Sequence, residues 1–227
     1  SVRIGDGRAQ SKLRKTAVQV TLSQADSANI HNVLDLWFKE RDKDTPGLDG
    51  RMNFWFGDDP EIDIQIRHRF GNLIKQAANG ELDHWAKTPL GRLALILVLD
   101  QFRRNVYRGK PEAFSHDKIA LKLCVEGAIA KHDSQLSVIQ QMFFFMPMQH
   151  MESRKVQAKS VAVFRNLVKK ASAVEKETLE TCADFAELHH DIVEQFGRFP
   201  HRNQILSRES TETEKAFLSD GPTFGQG

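Results

Sequence analysis

The sequence predicts an all-α fold from three observations. Apolar residues recur at helical spacing from Asp26 onward, no segment alternates over the length of a strand, and helix start and stop residues bracket the apolar runs. Ile30, Val33, Leu34, Trp37 and Phe38 form the first stripe; Ile62, Ile66, Phe70, Leu73 and Ala77 form a second, closed by Gly80. Between them, Arg41 to Asp59 reads as a polar, glycine-containing connector whose cluster Phe54-Trp55-Phe56 packs back onto the core. Thr88-Pro89 is an N-cap followed by proline at the first helical position. The run Leu90 to Leu99 that follows is apolar nearly all round, which puts this helix at the centre of the fold. Further helices are expected at 115–131, 135–145, 152–171, 174–196 and 211–219, the last opened by the capping box Thr211-Glu212-Thr213-Glu214.

Composition narrows the function classes. The chain has 227 residues, 40% of them hydrophobic, enough for a large core. Lys and Arg total 32 against 30 acids, and a net charge of +2 supplies no global field for nucleic acid or an anionic membrane. No apolar run reaches the roughly 20 residues that span a bilayer. Cys124 and Cys182 lie in helical patterns without metal-ligand spacing and read as small reduced core residues. Three segments are expected: a polar basic arm over 1–27, a helical domain over 28–219 and a Gly-rich C-terminal tail over 220–227. The arm is Arg- and Ser-rich and acid-poor, as around an organellar transit-peptide cleavage site; removal of an initiator Met ahead of a small residue is the alternative.

Two cationic segments are candidates for chemistry. In Phe196-Gly197-Arg198-Phe199-Pro200-His201-Arg202-Asn203, glycine closes a helix carrying Phe185, Leu188, Ile192 and Phe196, and proline blocks its continuation, so the cations sit on a turn. Unpaired guanidinium groups are costly to bury, so the turn meets carboxylates from elsewhere or presents donors to an anion. At the end of the central helix, Asp100, Arg104 and Arg108 are spaced by four and share a face. They form either an internal ion-pair lattice or a site with one arginine free for a ligand carboxylate or phosphate. His189 lies on an apolar stripe and His150 follows the break at Pro147; each reads as a core histidine before a base. His201 sits among cations that depress its pKa. The histidine spacings give no helical zinc site, and there is no phosphate loop, nucleophile elbow or cofactor signature.

Asp100-Gln101-Phe102 with Arg104-Asn105 and Tyr107-Arg108-Gly109, then Phe145-Met146-Pro147 with His150 and Glu152, then Phe196 to Asn203 with Arg208, Ser210-Thr211 and Glu214, resemble the domain-of-unknown-function 924 family over roughly residues 30–219. The resemblance implies a compact domain of tetratricopeptide-like helical hairpins with no assigned activity. Departures are specific: the usual Pro is Arg103, the usual Pro-Leu-Glu-His-Ser-Glu is Pro147-Met148-Gln149-His150-Met151-Glu152, and the usual Leu-Gly-Arg is Leu206-Ser207-Arg208. Losing the acid at Gln149 weakens any mechanism that needs two carboxylates there.

Two readings of function follow. In the first the protein is an accessory helical subunit of a larger assembly on the matrix side of a mitochondrion, laid on other subunits through residues 1–27 and the C-terminal tail; a bacterial-type cytoplasm is the alternative location. In the second it is a soluble enzyme or binding protein for a small anionic metabolite, with no cofactor. Its pocket would draw on Asp100, Gln101, Arg104, Asn105, Arg108, His150, His189, Arg198, His201, Arg202, Asn203 and Arg208. Asp100, Arg104, Arg198 and Arg202 are expected to converge, because a buried Asp and two cationic turns each need counter-groups.

Overall fold

Local signals start and stop most of the expected helices near their expected bounds, while Leu48–Phe56 and Met146–Gln149 are helices that were not expected. The computed structural model describes residues 22–39 and 48–226, and among these there is no strand. Helix α1 (Gln24–Phe38) opens on a capping box between Ser23 and Asp26. Asp26 also accepts from Trp85 Nε1 at 3.1 Å, which ties the start of α1 to the 3₁₀ turn Asp83–Lys87. The residues described therefore place a helix start inside the expected basic arm; residues 1–21 lie outside the described residues.

Helix α2 (Leu48–Phe56) lies within the expected connector. Trp55 explains it: its indole donates to Trp37 O at 2.8 Å and its ring meets Phe143 at 4.9 Å, so the aromatic cluster is held as a helical turn against α1. Helix α3 (Pro60–Ala78) is capped by Asp59 and followed by Gly80 at φ 78°. Its Ile66, Phe70, Leu73 and Ala77 are buried as the stripe requires.

Helix α4 (Pro89–Leu97) is central. The Thr88 hydroxyl accepts from Gly91 N at 3.1 Å, and Leu93 through Val98 have no exposed surface. Each such leucine or isoleucine contributes about 1.5–3 kcal/mol by burial. The helix then widens into a π turn, Val98–Phe102, before α5 (Arg103–Val106). Such turns are frequent at functional sites, and this one carries Asp100 and Gln101. Against α4 pack α6 (Asp117–Ile129) and α7 (Val138–Phe144); α8 (Met146–Gln149) packs on α6 and on α9 (Arg154–Lys170), which forms a hairpin with α10 (Lys176–Phe196). Gly197, at φ 74°, ends α10, and α11 (Glu212–Asp220) opens on its expected capping box.

Three placements differ from expectation. The buried stripe of α10 is Leu179, Cys182, Ala186, His189 and Val193, whereas Phe185 and Leu188 are 41% and 37% exposed, because α9 covers the adjacent face. Arg108 leaves the face of Asp100: α5 ends at Val106, and the guanidinium turns to Asp63. The tail, expected to lie on neighbouring subunits, folds onto its own chain, with Gln226 only 5% exposed. Ser207 sits at φ 55°, the left-handed conformation that glycine adopts without strain.

Candidate functional site

The π turn directs the Asp100 carboxylate inward, where it is fully buried and meets three donors. Arg104 Nη1 lies at 3.3 Å, Gln101 Nε2 at 3.0 Å and His150 Nδ1 at 2.7 Å. Burial alone would push the carboxyl up. The charges of His150 and Arg104, with the hydrogen bonds from His150 and Gln101, outweigh it and hold Asp100 below its ordinary range. Arg104 in turn makes a bidentate pair with Asp117 at 2.7 and 2.9 Å. Asp117 looks like an ordinary first-turn acid of α6, and no sequence signal marks it as a partner.

Burial and the nearby Arg104 cation push the His150 pKa down, which favours the neutral ring, and Asp100 only partly offsets them. Its Nδ1–H is committed to an ionised carboxylate, so the lone pair lies on Nε2, which makes no hydrogen bond to the described residues. His189 repeats the arrangement. Its Nδ1 meets Gln149 Oε1 at 2.9 Å, while Gln149 Nε2 donates to Cys182 O at 3.3 Å, so the amide orientation makes Nδ1 the donor here too. Burial, with surrounding positive groups, pushes His189 well below its ordinary pKa.

Both imidazoles line a cavity of about 220 Å³. Its walls are largely aromatic, from Trp55, Phe56, Phe114, Phe185 and Phe199, with Gln101, Arg104, Asn105, Arg108, His201 and Arg202 among the polar groups. Asn105 and Arg108 are held by Asp63, at 2.9 and 2.8 Å. His201 is pushed down to about 3 by burial and by Arg202.

Arg202 differs from its neighbours. Its guanidinium lies between the rings of Phe114 and Phe199, 4.4 and 4.6 Å from their centroids, and its Nη2 donates to His150 O at 2.9 Å. Nη1 stands 3.7 Å from Asp117 and 4.0 Å from Glu152, and buried Nε has no partner. Burial lowers its pKa to about 10, so it stays a cation at neutral pH.

The other cations on the turn serve structure. Arg198 pairs bidentately with Glu214, at 2.9 and 2.8 Å, outside the cavity. Arg208 pairs with Glu152 at 2.8 and 3.0 Å and donates from Nε to Asn203 Oδ1 at 3.0 Å. Glu152 also accepts from Phe199 N at 2.7 Å, so Glu152 and Glu214 hold the turn from two sides. Thus Asp100, Arg104 and Arg202 converge as expected, whereas Arg198, Asn203 and Arg208 clamp the turn to α11 and the α8–α9 junction. Cys182, beside the cavity, is pushed up to about 12 by burial and is no thiolate nucleophile at neutral pH. Among the described residues, no cluster of three His, Cys, Asp or Glu could hold a metal ion.

A family model described as "Bacterial protein of unknown function (DUF924)" matches residues 33–222. The chain belongs to this family. A solved structure of a protein of unknown function from Agrobacterium tumefaciens, ATU0120, is 33% identical, covers 86% of this chain and 99% of that chain, and aligns with a TM-score of 0.71. No curated protein matches the chain. In this DUF924 chain sequence reasoning missed Phe114 and the Phe224–Gln226 segment, which reach the cavity only through the fold, and Asp117, which the fold brings to Arg104. Among the described residues, no helix is long and apolar enough to cross a membrane.

Proposed function

We propose that this DUF924 protein binds and turns over a small anionic metabolite in the cavity, with His150 as general base and Asp100 as the group that orients it. The observation that carries this reading is the contact of His150 Nδ1 with Asp100 Oδ1, which makes Nδ1 the donor of a neutral ring. With Nδ1 held 2.7 Å from Asp100 Oδ1, a basic Nε2 is left at the wall of a largely aromatic cavity of about 220 Å³. A neutral imidazole there takes a proton from a ligand hydroxyl, a bound water or an acidic C–H, and the resulting imidazolium is stabilised by the Asp100 carboxylate. Arg202, with donors left over after its bond to His150 O, suits the ligand's carboxylate or phosphate.

The accessory-subunit reading keeps only the basic composition of residues 1–21 as support, since residues 221–226 make contacts within their own chain. The test is calorimetric titration with small hydroxy acids, keto acids and phosphate esters. Saturable binding that Arg202→Gln removes, and a bound-ligand proton exchange that His150→Gln slows by about 10²-fold or more, support the proposal. Failure of every compound to bind at millimolar concentration rejects it.

A further inference from the structure

One wall of the cavity is made by the protein's own segment after α11. Phe224 lies against His189 with ring centroids 4.4 Å apart and against His201 at 5.1 Å, so an aromatic ring caps the imidazole that faces the cavity. Gln226 reaches deeper: its Oε1 accepts from Gly109 N at 3.0 Å, and its Nε2 donates to Arg104 O at 3.3 Å. Arg108 Nη1 holds the intervening Gly225 O at 3.0 Å. An aromatic ring and a carboxamide are what a bound aromatic small molecule would present, and here the chain supplies both.

The hold is built to be reversible. Phe224 and Gly225 are both left-handed, at φ 54° and 76°, and for a bulky residue such as Phe that conformation is strained. The segment is joined to α11 only through Gly221-Pro222-Thr223, and its polar contacts are a few neutral-amide bonds and one exposed arginine bond. Among the described residues, no carboxylate bonds to it.

We infer that residues 221–226 are a displaceable wall occupying part of the ligand site, and that the ligand carries an aromatic ring which takes the place of Phe224 on His189. The ligand class that matches the groups then uncovered is an aromatic 2-hydroxy acid or close analogue. Its ring goes to the His189–His201–Phe199 wall, its hydroxyl donates to an imidazole Nε2, and its carboxylate lies toward Arg202. This rests on the reading of His150 as base, and it adds both a substrate class and a built-in competition at the same site.

Full-length protein, Phe224→Ala and His150→Gln are titrated with 3-phenyllactate and with its aliphatic counterpart 2-hydroxyisocaproate, and hydrogen exchange is followed at the Gly109 amide. The expected results are a Gly109 amide that exchanges at least a hundredfold faster than buried amides of α4, and 3-phenyllactate binding about tenfold tighter or more in Phe224→Ala, with a smaller gain for the aliphatic acid. Exchange at the rate of α4, affinity unchanged by Phe224→Ala, or no binding in either form overturns the inference. The two readings separate cleanly. If His150→Gln binds and exchanges protons as the parent does while Phe224→Ala still binds more tightly, the base assignment fails and the displaceable wall stands. The opposite pattern removes the wall and keeps the base.

Discussion

His150 and His189 face the same cavity with rings 6.3 Å apart, and each gives its Nδ1–H to a neighbouring oxygen, yet one oxygen belongs to a carboxylate and the other to an amide. Geometry alone would make them equivalent. The charge of the partner separates them: Asp100 can stabilise an imidazolium on His150, whereas Gln149 only fixes the tautomer of His189. Gln149 is neutral where Asp100 is a carboxylate, so only one of the two histidines has an acid behind it. A buried histidine therefore becomes a base through what stands behind it.

The most severe way to break the comparison is Arg104→Ala, which removes the arginine paired with Asp100 and leaves Asp117 only Arg202, 3.7 Å away. Losing one partner of a buried pair costs about 3–5 kcal/mol, measured by denaturant unfolding. Asp100→Asn is gentler and more telling, because it makes His150 a chemical copy of His189. We expect about 1.5–3 kcal/mol of lost stability from weaker hydrogen bonds, and loss of any proton exchange on a bound ligand, measured on the same protein.

Acid titration examines the pair together with His201. The folded His201 is pushed down to about 3, while an unfolded histidine titrates near 6.5. As pH falls below 6.5 the unfolded state therefore takes up a proton that the folded state refuses. Stability falls from about pH 6.5 toward pH 3 by at most ~1.4 kcal/mol per pH unit for each such histidine, and His189 adds in the same direction. Melting temperatures between pH 7 and 5 measure the slope, which His201→Gln should reduce. The subtlest change is Gln149→Glu. A carboxylate beside Nδ1 should raise the His189 pKa back toward its ordinary value, visible as a shifted imidazole titration by NMR.

Much of this was legible in the residues. The caps at Thr88 and Thr211, the glycine stops at Gly80 and Gly197 and the wholly buried run of α4 depend on contacts within a few residues, which local pattern encodes. The helix over 48–56 was less so, because Trp55 gains its reason only from Trp37 and Phe143. The twelve candidate residues divided for the same reason. Which guanidinium meets which carboxylate depends on chain segments far apart, so Arg198 and Arg202, four residues from each other, part toward Glu214 and toward the cavity.

The sequence by itself determined an all-α chain with a buried central helix and two arginine-rich ends, because periodicity, caps and the cost of burying charge act locally. Only the tertiary structure decided that Asp100 stands behind His150, fifty residues away, that Asp117 saturates Arg104 and that Phe224 lies on His189. Tautomer, charge and access to the cavity are properties of those long-range contacts, and no single helix contains both members of any of these pairs.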